Sequence, residues 1–173
     1  TNGLFLCLKY LKKEGNIISI PKQTYISVPN QIINAGYKVQ FEDKEWEGIY
    51  QLEPFNIWDS AGRFTKDMYV GNDSLQVLSF QIKKRLPIGR GGIILTDDSG
   101  VYNYLSKSRY DGRDLSKSQL EDNINTFGYH MYMTPEDAAR GLILFNQLNT
   151  KHEDTHSFQS YKDITQNTIF SSK

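Results

Sequence analysis

One segment in the middle of the chain, residues 75–98, reads LQVLSFQIKKRLPIGRGGIILTDD. The segment contains two short apolar runs of the kind that form strands. One covers residues 75–80 and the other covers residues 92–96. A basic loop and a glycine-rich turn separate the two runs. The segment therefore predicts two strands, with Lys84 in the loop that follows the first of them.

Helices and strands alternate on both sides of this segment. Apolar spacing and turn residues predict helices over residues 4–13, 24–35 and 98–110, and further strands over residues 16–20, 37–41 and 55–59. Such alternation is typical of an α/β fold, in which helices cover a mostly parallel sheet to give three layers.

The last third of the chain is organised differently. Residues 111–127 are polar and lack periodicity, which predicts a long surface loop, and long loops in compact domains are often functional. Thr134 and Pro135 then start a helix whose small and apolar residues, up to Leu148, form one face. Residues 149–173 are polar with scattered aromatic side chains, and we expect them to wrap the surface.

Composition excludes several classes of protein. The 173 residues suit one domain, and 20 basic residues balance 20 acidic residues, so no net charge would attract a nucleic acid or an anionic membrane. No apolar run approaches the roughly 20 residues that a membrane helix needs. The single cysteine, Cys7, can form no intrachain disulfide and lies in a helical pattern, where burial is expected. We expect a cytoplasmic protein, and since the chain starts at Thr1 without a methionine, we expect that an N-terminal segment is missing.

The central segment resembles the DegT/StrS family of sugar aminotransferases, which carry pyridoxal 5'-phosphate (PLP) on a lysine. That family has Ser-Phe, then the cofactor lysine, and then a glycine-rich turn that opens a strand ending in Thr-Asp/Asn-Asp. The residues that match this spacing are Ser79, Phe80, Lys84, Gly89, Gly91, Gly92, Thr96, Asp97 and Asp98, with Arg90 in place of an acidic residue. The resemblance implies the large-domain fold of fold-type-I PLP-dependent transferases.

Other segments match the family in the same order, and they imply a set of cofactor residues. The start of the first helix would hold the phosphate through backbone N–H groups. Ser79 would donate to the same phosphate, an aromatic ring would stack on the pyridine, and a carboxylate would pair with the pyridine nitrogen. A motif at residues 128–133 would reach the phosphate of a partner subunit, although it has His130 for the usual Asn and Tyr132 for the usual Arg. The implied cofactor residues are Asn2, Gly3, Leu4, Tyr25, Asp59, Ser79, Lys84 and His130.

Elementary chemistry supports the two residues expected to be catalytic. A carboxylate at Asp59 would keep a pyridine nitrogen protonated and make the ring an electron sink. Lys84 must lose its proton to react with a carbonyl, and we expect repulsion from neighbouring cations, Lys83, Arg85 and Arg90, to lower its pKa.

The resemblance implies a shortened form of the family plan. Residues 1–148 would form the large domain, with one strand-helix unit missing between residues 41 and 55, and residues 149–173 would stand in place of the C-terminal domain. Gly62 takes the position of the Gln or His that usually follows the cofactor Asp.

The function that the resemblance implies is transfer of an amino group from glutamate to a keto sugar, which would be linked to a nucleotide, by a homodimer. A non-catalytic remnant of the same fold that binds the cofactor or is purely structural is the main alternative. Residues 152–156, His-Glu-Asp-Thr-His, match the H-E-x-x-H pattern of zinc hydrolases, but their flanks are not those of a helix and no third ligand follows. We therefore predict no metal site there.

Overall fold

The computed structural model describes residues 1–170 and has the α/β architecture expected from the sequence. Four α-helices lie in this part of the chain, α1 (Asn2–Leu11), α2 (Ser27–Asn34), α3 (Ser99–Ser108) and α4 (Pro135–Asn146). The strands are β1 (Ile17–Pro21), β2 (Lys38–Glu42), β3 (Tyr50–Gln51), β4 (Ile57–Asp59), β5 (Leu75–Ser79) and β6 (Gly92–Leu95). Three short 3₁₀ helices follow α4, at Phe158–Ser160, Ile164–Gln166 and Thr168–Phe170.

The strands form two small sheets with mixed directions. β1 and β2 pair in parallel, and a second sheet has the order β3-β4-β5-β6. Within it β4 and β5 are parallel, whereas β3 pairs with β4 and β5 with β6 in antiparallel directions. The α/β class is confirmed, but the sheet is less parallel than predicted. Short links without a helix join β3 to β4 and β5 to β6, and such links lead directly to antiparallel neighbours.

The core lies around α1, which packs against β4, β5 and β6 on one side and against α2 and α3 on others. Cys7 and Leu8 of α1 are fully buried, so the expected burial of the single cysteine is confirmed. Burial raises the pKa of the Cys7 thiol well above its ordinary value. Gly3 lets the start of α1 approach the sheet, since a Cβ there would lie 2.7 Å from Val77 Cγ1.

Helix α4 begins as predicted but buries little of its apolar face. The Thr134 side chain accepts a hydrogen bond from the Asp137 backbone N–H at 3.3 Å, which is the expected N-cap. Gly141 is buried, and a Cβ there would lie 2.6 Å from Ile88 Cδ1. By contrast, Leu142 and Phe145 are 66% and 53% exposed. The predicted face is therefore only partly covered within residues 1–170.

Residues 111–127 contain neither helix nor strand, as predicted for a surface loop. Their backbone is held by Asp122, whose carboxylate accepts from the Asp114 backbone N–H at 2.9 Å and lies 3.5 Å from Arg113 Nε. No helix among the described residues is long and apolar enough to cross a membrane.

Candidate active site

Asp59 is the last residue of β4, and its carboxylate is held by two donors. Its side chain is 8% exposed. The Tyr50 hydroxyl donates to Oδ2 at 3.1 Å, and the Ala61 backbone N–H donates to Oδ1 at 2.9 Å. Each carboxylate oxygen thus accepts one hydrogen bond from the protein, which fixes the rotation of the group.

Tyr50 is a site residue that sequence reasoning missed. It lies opposite Asp59 in the antiparallel pairing of β3 and β4, and it is 4% exposed. Its oxygen is 2.5 Å from Thr24 Oγ1, and Thr24 precedes α2, outside the helix that was predicted to include it. A two-residue strand is too short to give a periodic signal, so the sequence offered no direct indication of this contact.

Lys84 lies in the turn that follows β5, where its backbone N–H donates to the Gln81 carbonyl at 2.8 Å. Its side chain is half-buried, and this burial lowers the pKa of the Lys84 ammonium, while the nearby Asp59 charge acts in the opposite direction. The direction agrees with the prediction, but the predicted cause was wrong. The neighbouring cation Arg90 pairs instead with Asp137 at 2.9 Å, and Arg85 donates to the Glu153 carbonyl at 3.3 Å.

Two aromatic residues from the end of the chain complete the surroundings of Asp59 and Lys84. Burial and then the Asp59 charge raise the pKa of Tyr161 to about 12. Burial and then the positive charge of Lys84 lower the pKa of His156. The His156 and Tyr161 rings stack with their centroids 6.1 Å apart. Residues 149–170 therefore do more than wrap the surface, which is all that their composition indicated.

Trp46 and Tyr25 extend this aromatic group. The Trp46 ring stacks on Tyr161 at 5.8 Å between centroids, and the Tyr25 ring meets Tyr161 edge-on at 6.4 Å. Tyr25 remains 57% exposed, so much of its ring is free to contact another planar group.

Backbone hydrogen bonds and one ion pair hold the segment 154–156 in place. Arg63 donates to both carboxylate oxygens of Asp154, at 2.9 and 2.6 Å. Thr155 N–H donates to the Gly62 carbonyl at 2.8 Å, and Gly48 N–H donates to the His156 carbonyl at the same distance. A Cβ at residue 62 would lie 3.2 Å from His156 Cβ, so a glycine at this position leaves room for the segment to pass.

Residues 152–156 are not helical, so the two histidines do not share one face as H-E-x-x-H chemistry requires. Among residues 1–170 no group of three or more His, Cys, Asp or Glu side chains is placed to hold a metal ion. His156 belongs to the surroundings of Lys84 instead.

A cavity of about 840 Å³ lies at the start of α1, and neither Asp59 nor Lys84 is among the residues that line it. Four of the residues expected to bind the cofactor line it, namely Asn2, Gly3, Ser79 and His130. Thr1 also lines the cavity and lies within electrostatic range of both Asp59 and Lys84, so the two parts of the site are neighbours. Helix N-termini present free N–H groups and a positive dipole end, which makes this cavity suitable for an anion.

Individual residues at the cavity differ in what they can contribute. Ser79 Oγ accepts from the Gln81 backbone N–H at 3.4 Å, which leaves its own hydroxyl proton to donate elsewhere. The His130 side chain is 73% exposed and its Nδ1 lies 3.3 Å from Asp111 Oδ2. The Leu4 side chain is buried in the core at 3% exposure, which agrees with the expectation that the start of α1 would bind through backbone N–H groups. Only its backbone can take part in binding.

Solved structures of sugar aminotransferases share this fold at low sequence identity. CalS13 from Micromonospora echinospora has a TM-score of 0.68 at 15% identity, over 84% of this chain and 53% of that chain. PseC from Helicobacter pylori, an aminotransferase of pseudoaminic acid biosynthesis, has a TM-score of 0.65 at 15% identity, over 83% of this chain and 50% of that chain. The structure of a dehydratase, GDP-4-keto-6-deoxymannose-3-dehydratase with a trapped PLP-glutamate adduct, is also similar. Its TM-score is 0.64 at 17% identity, over 85% of this chain and 54% of that chain.

The chain thus spans about half the length of these solved structures. A search of curated protein sequences gives no significant match. The model of one protein family matches residues 57–167, a range that contains Asp59, Ser79, Lys84 and His130 as well as His156 and Tyr161. As this match covers well over half of the sequence, the chain belongs to the DegT/DnrJ/EryC1/StrS aminotransferase family.

Proposed function

We propose that this chain binds PLP between Asp59 and Lys84 and acts as an aminotransferase on a keto sugar linked to a nucleotide, with glutamate as the amino donor. One observation carries the proposal. Asp59 ends β4, Lys84 follows β5, and these two strands are parallel neighbours, so a buried carboxylate and a half-buried amine meet at the carboxyl edge of the sheet. This edge is where ligands of α/β folds commonly bind.

The residues present fit the chemical groups of PLP. Asp59 would pair with the ring nitrogen, Lys84 would attach the cofactor, and the exposed part of Tyr25 would contact the ring. Asn2 and Gly3 at the start of α1 would hold the phosphate in the adjoining cavity together with two further cavity residues, Ser79 and His130. When bound, PLP supplies a carbonyl that condenses with amines and a ring that accepts electrons. The protein would supply an amine at Lys84 that loses its proton more readily than an exposed lysine, and a fixed carboxylate at Asp59.

The proposed substrates are supported by what the similar structures contain. PseC is an aminotransferase involved in the biosynthesis of pseudoaminic acid, and the GDP-4-keto-6-deoxymannose-3-dehydratase structure holds a PLP-glutamate adduct. By extension, we assign this chain a keto sugar as acceptor and glutamate as donor. We also propose a homodimer, because the exposed apolar residues Leu142 and Phe145 on α4 form a surface of the kind that subunits cover. Light scattering of the purified chain would test the dimer.

A non-catalytic cofactor-binding protein is the second candidate, and the position of Tyr161 favours it. This ring packs against Tyr25, Trp46 and His156 and lies within electrostatic range of Asp59, so it takes up space beside the proposed site. The two candidates differ in what glutamate does after the cofactor has bound. In the catalytic case, glutamate converts the bound cofactor to its amine form, and in the other case it leaves the bound cofactor unchanged.

The decisive experiment is a PLP titration followed by borohydride reduction and peptide mapping. We expect a new visible absorption band and a covalent label on Lys84. Lys84→Ala should abolish both, whereas Lys83→Ala, at the exposed neighbouring position, should leave both unchanged. A label distributed over several lysines, or equal loss in the two variants, would contradict the assignment of Lys84.

The pH dependence of attachment provides an independent test of the environment of Lys84. Because burial lowers the pKa of Lys84 below the ordinary value of 10.5 for a lysine, the amine loses its proton at a lower pH than an exposed lysine does. We therefore expect the attachment rate to rise with pH and to level off below pH 10.5. A stopped-flow measurement of the visible band would give this profile, and a rate that still rises at pH 10.5 would contradict the expected environment.

A further inference from the structure

The hydroxyl groups of Thr24 and Tyr50 form a short hydrogen-bonded series that ends on Asp59. Tyr50 OH lies 2.5 Å from Thr24 Oγ1 and 3.1 Å from Asp59 Oδ2. Each hydroxyl has one proton, and the Tyr50 proton is directed to the carboxylate, which can only accept when ionised. Thr24 must then donate to Tyr50. The series has one direction, from Thr24 through Tyr50 to Asp59.

The surroundings of Tyr50 favour its role as a donor. Burial and then the Asp59 charge raise the pKa of Tyr50 well above its ordinary value, so the phenol keeps its proton. Its ring contacts the Trp46 ring at 4.9 Å between centroids, and it is 4% exposed, so water does not compete for the hydroxyl. The proton is therefore available to Asp59 across the whole neutral pH range.

We infer that Tyr50 is a positioning residue for the cofactor site, which acts by orienting the Asp59 carboxylate toward a protonated ring nitrogen, with Thr24 as its support. This inference rests on the proposed binding of PLP. Tyr50 and the Ala61 backbone N–H each occupy one oxygen of Asp59, and together they restrict the rotation of the side chain. The lone pairs that remain are then presented in one fixed orientation, which is the condition for strong pairing with a charged N–H group.

β3 places Tyr50 where this contact is possible. Its residues Tyr50 and Gln51 lie opposite Asp59 and Trp58 of β4. The Tyr50 hydroxyl therefore reaches the Asp59 carboxylate from the side of β4 that is remote from β5. β3 lies in the segment between residues 41 and 55, where the resemblance implies a missing strand-helix unit, and the family match begins only at residue 57. The orientation of Asp59 thus depends on a residue that this chain supplies from its own connection.

The test compares two probes, PLP and an analogue in which carbon replaces the ring nitrogen. The analogue has no N–H group to pair with Asp59 but keeps the phosphate and the carbonyl. For Tyr50→Phe we expect affinity for PLP to fall about tenfold, as for loss of one hydrogen bond to a charged group, and affinity for the analogue to change less than about twofold. Tyr37→Phe is the matched control, since Tyr37 is equally buried and donates to the Leu8 carbonyl at 3.0 Å, at the other end of α1.

Two further variants keep the test decisive. Thr24→Val removes the supporting donor with little change in volume, and we expect a smaller loss, about threefold, that is again selective for PLP. In an Asp59→Asn background, Tyr50→Phe should have no further selective effect, since the carboxylate that it orients is gone. Circular dichroism spectra would confirm that each variant is folded.

The outcomes separate this inference from the proposed function. Equal weakening of both probes by Tyr50→Phe, or no weakening of either, would overturn the role of Tyr50 while PLP binding by the unmodified chain stands. If the unmodified chain binds PLP no more tightly than the analogue, the pairing of Asp59 with the ring nitrogen fails, and both proposals fail with it. Selective loss for PLP in Tyr50→Phe and Thr24→Val, but not in Tyr37→Phe, supports the inference.

Discussion

The two walls of the candidate site are held by different forces. The inner wall, β3 to β5, belongs to the main core, where Leu52 and Ile57 are fully buried and Leu75 is 4% exposed. The outer wall, residues 150–164, buries one apolar side chain, Ile164, to 7% exposure. The rest of it is held by hydrogen bonds, by the ion pairs Arg63–Asp154 and Lys22–Asp163, and by the ring contacts of Tyr161.

This difference has an energetic meaning. Apolar burial is lost only when the surrounding core opens, so Asp59 should stay in place until the chain unfolds. A segment held mainly by polar contacts near the surface can open locally at a lower free-energy cost. The outer wall is thus expected to separate from the inner wall without global unfolding, which would allow a cofactor and substrate to enter.

The largest expected effect comes from the inner wall. Ile57→Ala removes a fully buried side chain two residues before Asp59, and we expect the free energy of unfolding to fall by about 3 kcal/mol. The matched control is Ile169→Ala near the end of the chain, where the side chain is 60% exposed and the change should stay below about 0.5 kcal/mol. Urea denaturation would measure both. Equal effects would mean that burial of Ile57 in the inner wall does not stabilise the fold in the way described.

A smaller and more local effect is expected from the outer wall. Asp154→Asn weakens the ion pair with Arg63. Because the Asp154 side chain is only 15% exposed, we expect the free energy of local opening to fall by about 1 kcal/mol. Hydrogen exchange of the Thr155 amide should then accelerate about fivefold, while amides of the inner wall exchange as before. Asp163→Asn is a suitable control, because it removes the same charge from the same segment but at a different ion pair. Asp163 Oδ2 lies 3.6 Å from Lys22 Nζ. Faster exchange throughout both walls would show that they open together.

The smallest effect concerns His156 and pH. Because the pKa of His156 is lowered in the folded chain by burial and by Lys84, the unfolded chain binds a proton more readily. The associated stability is fully present above pH 6.5 and is lost as pH falls through that value toward the lower pKa of the folded state. After correction for the intrinsic effect of pH on exchange, we expect amides of the outer wall to be less protected at pH 5.5 than at pH 7.5.

The comparison variant for this experiment is His156→Gln, which keeps a polar side chain but cannot titrate. Hydrogen exchange of the Thr155 amide, corrected for the intrinsic effect of pH, should depend less on pH in this variant than in the unmodified chain. If the two chains respond equally to pH, His156 does not control the closure of the outer wall.

The sequence predicted most of what depends on local chemistry. Thr134 and Pro135 start α4, and Asp98 caps α3 by accepting from two backbone N–H groups of its first turn. Spacing along the chain was sufficient for these features. It was also sufficient to place Asp59 at the end of β4 and Lys84 in the loop that follows β5.

The features that sequence reasoning missed depend on contacts between distant parts of the chain. His156 approaches Gly62 across more than 90 residues, and no short-range pattern encodes that pairing. The altered pKa of Lys84 comes from burial rather than from adjacent charges, and burial of a single loop residue is decided by the whole fold. The burial of the Leu4 side chain in the core is likewise decided by the whole fold.

The stacking of Trp46 on Tyr161 gives the protein an internal optical reporter. The chain has two tryptophans, and Trp46 contacts the outer wall, whereas Trp58 lies on β4 and its indole N–H donates to Asn56. With Trp58 replaced by phenylalanine, the remaining indole fluorescence would follow the arrival and departure of Tyr161. Opening of the wall could then be timed directly in solution, with no added dye.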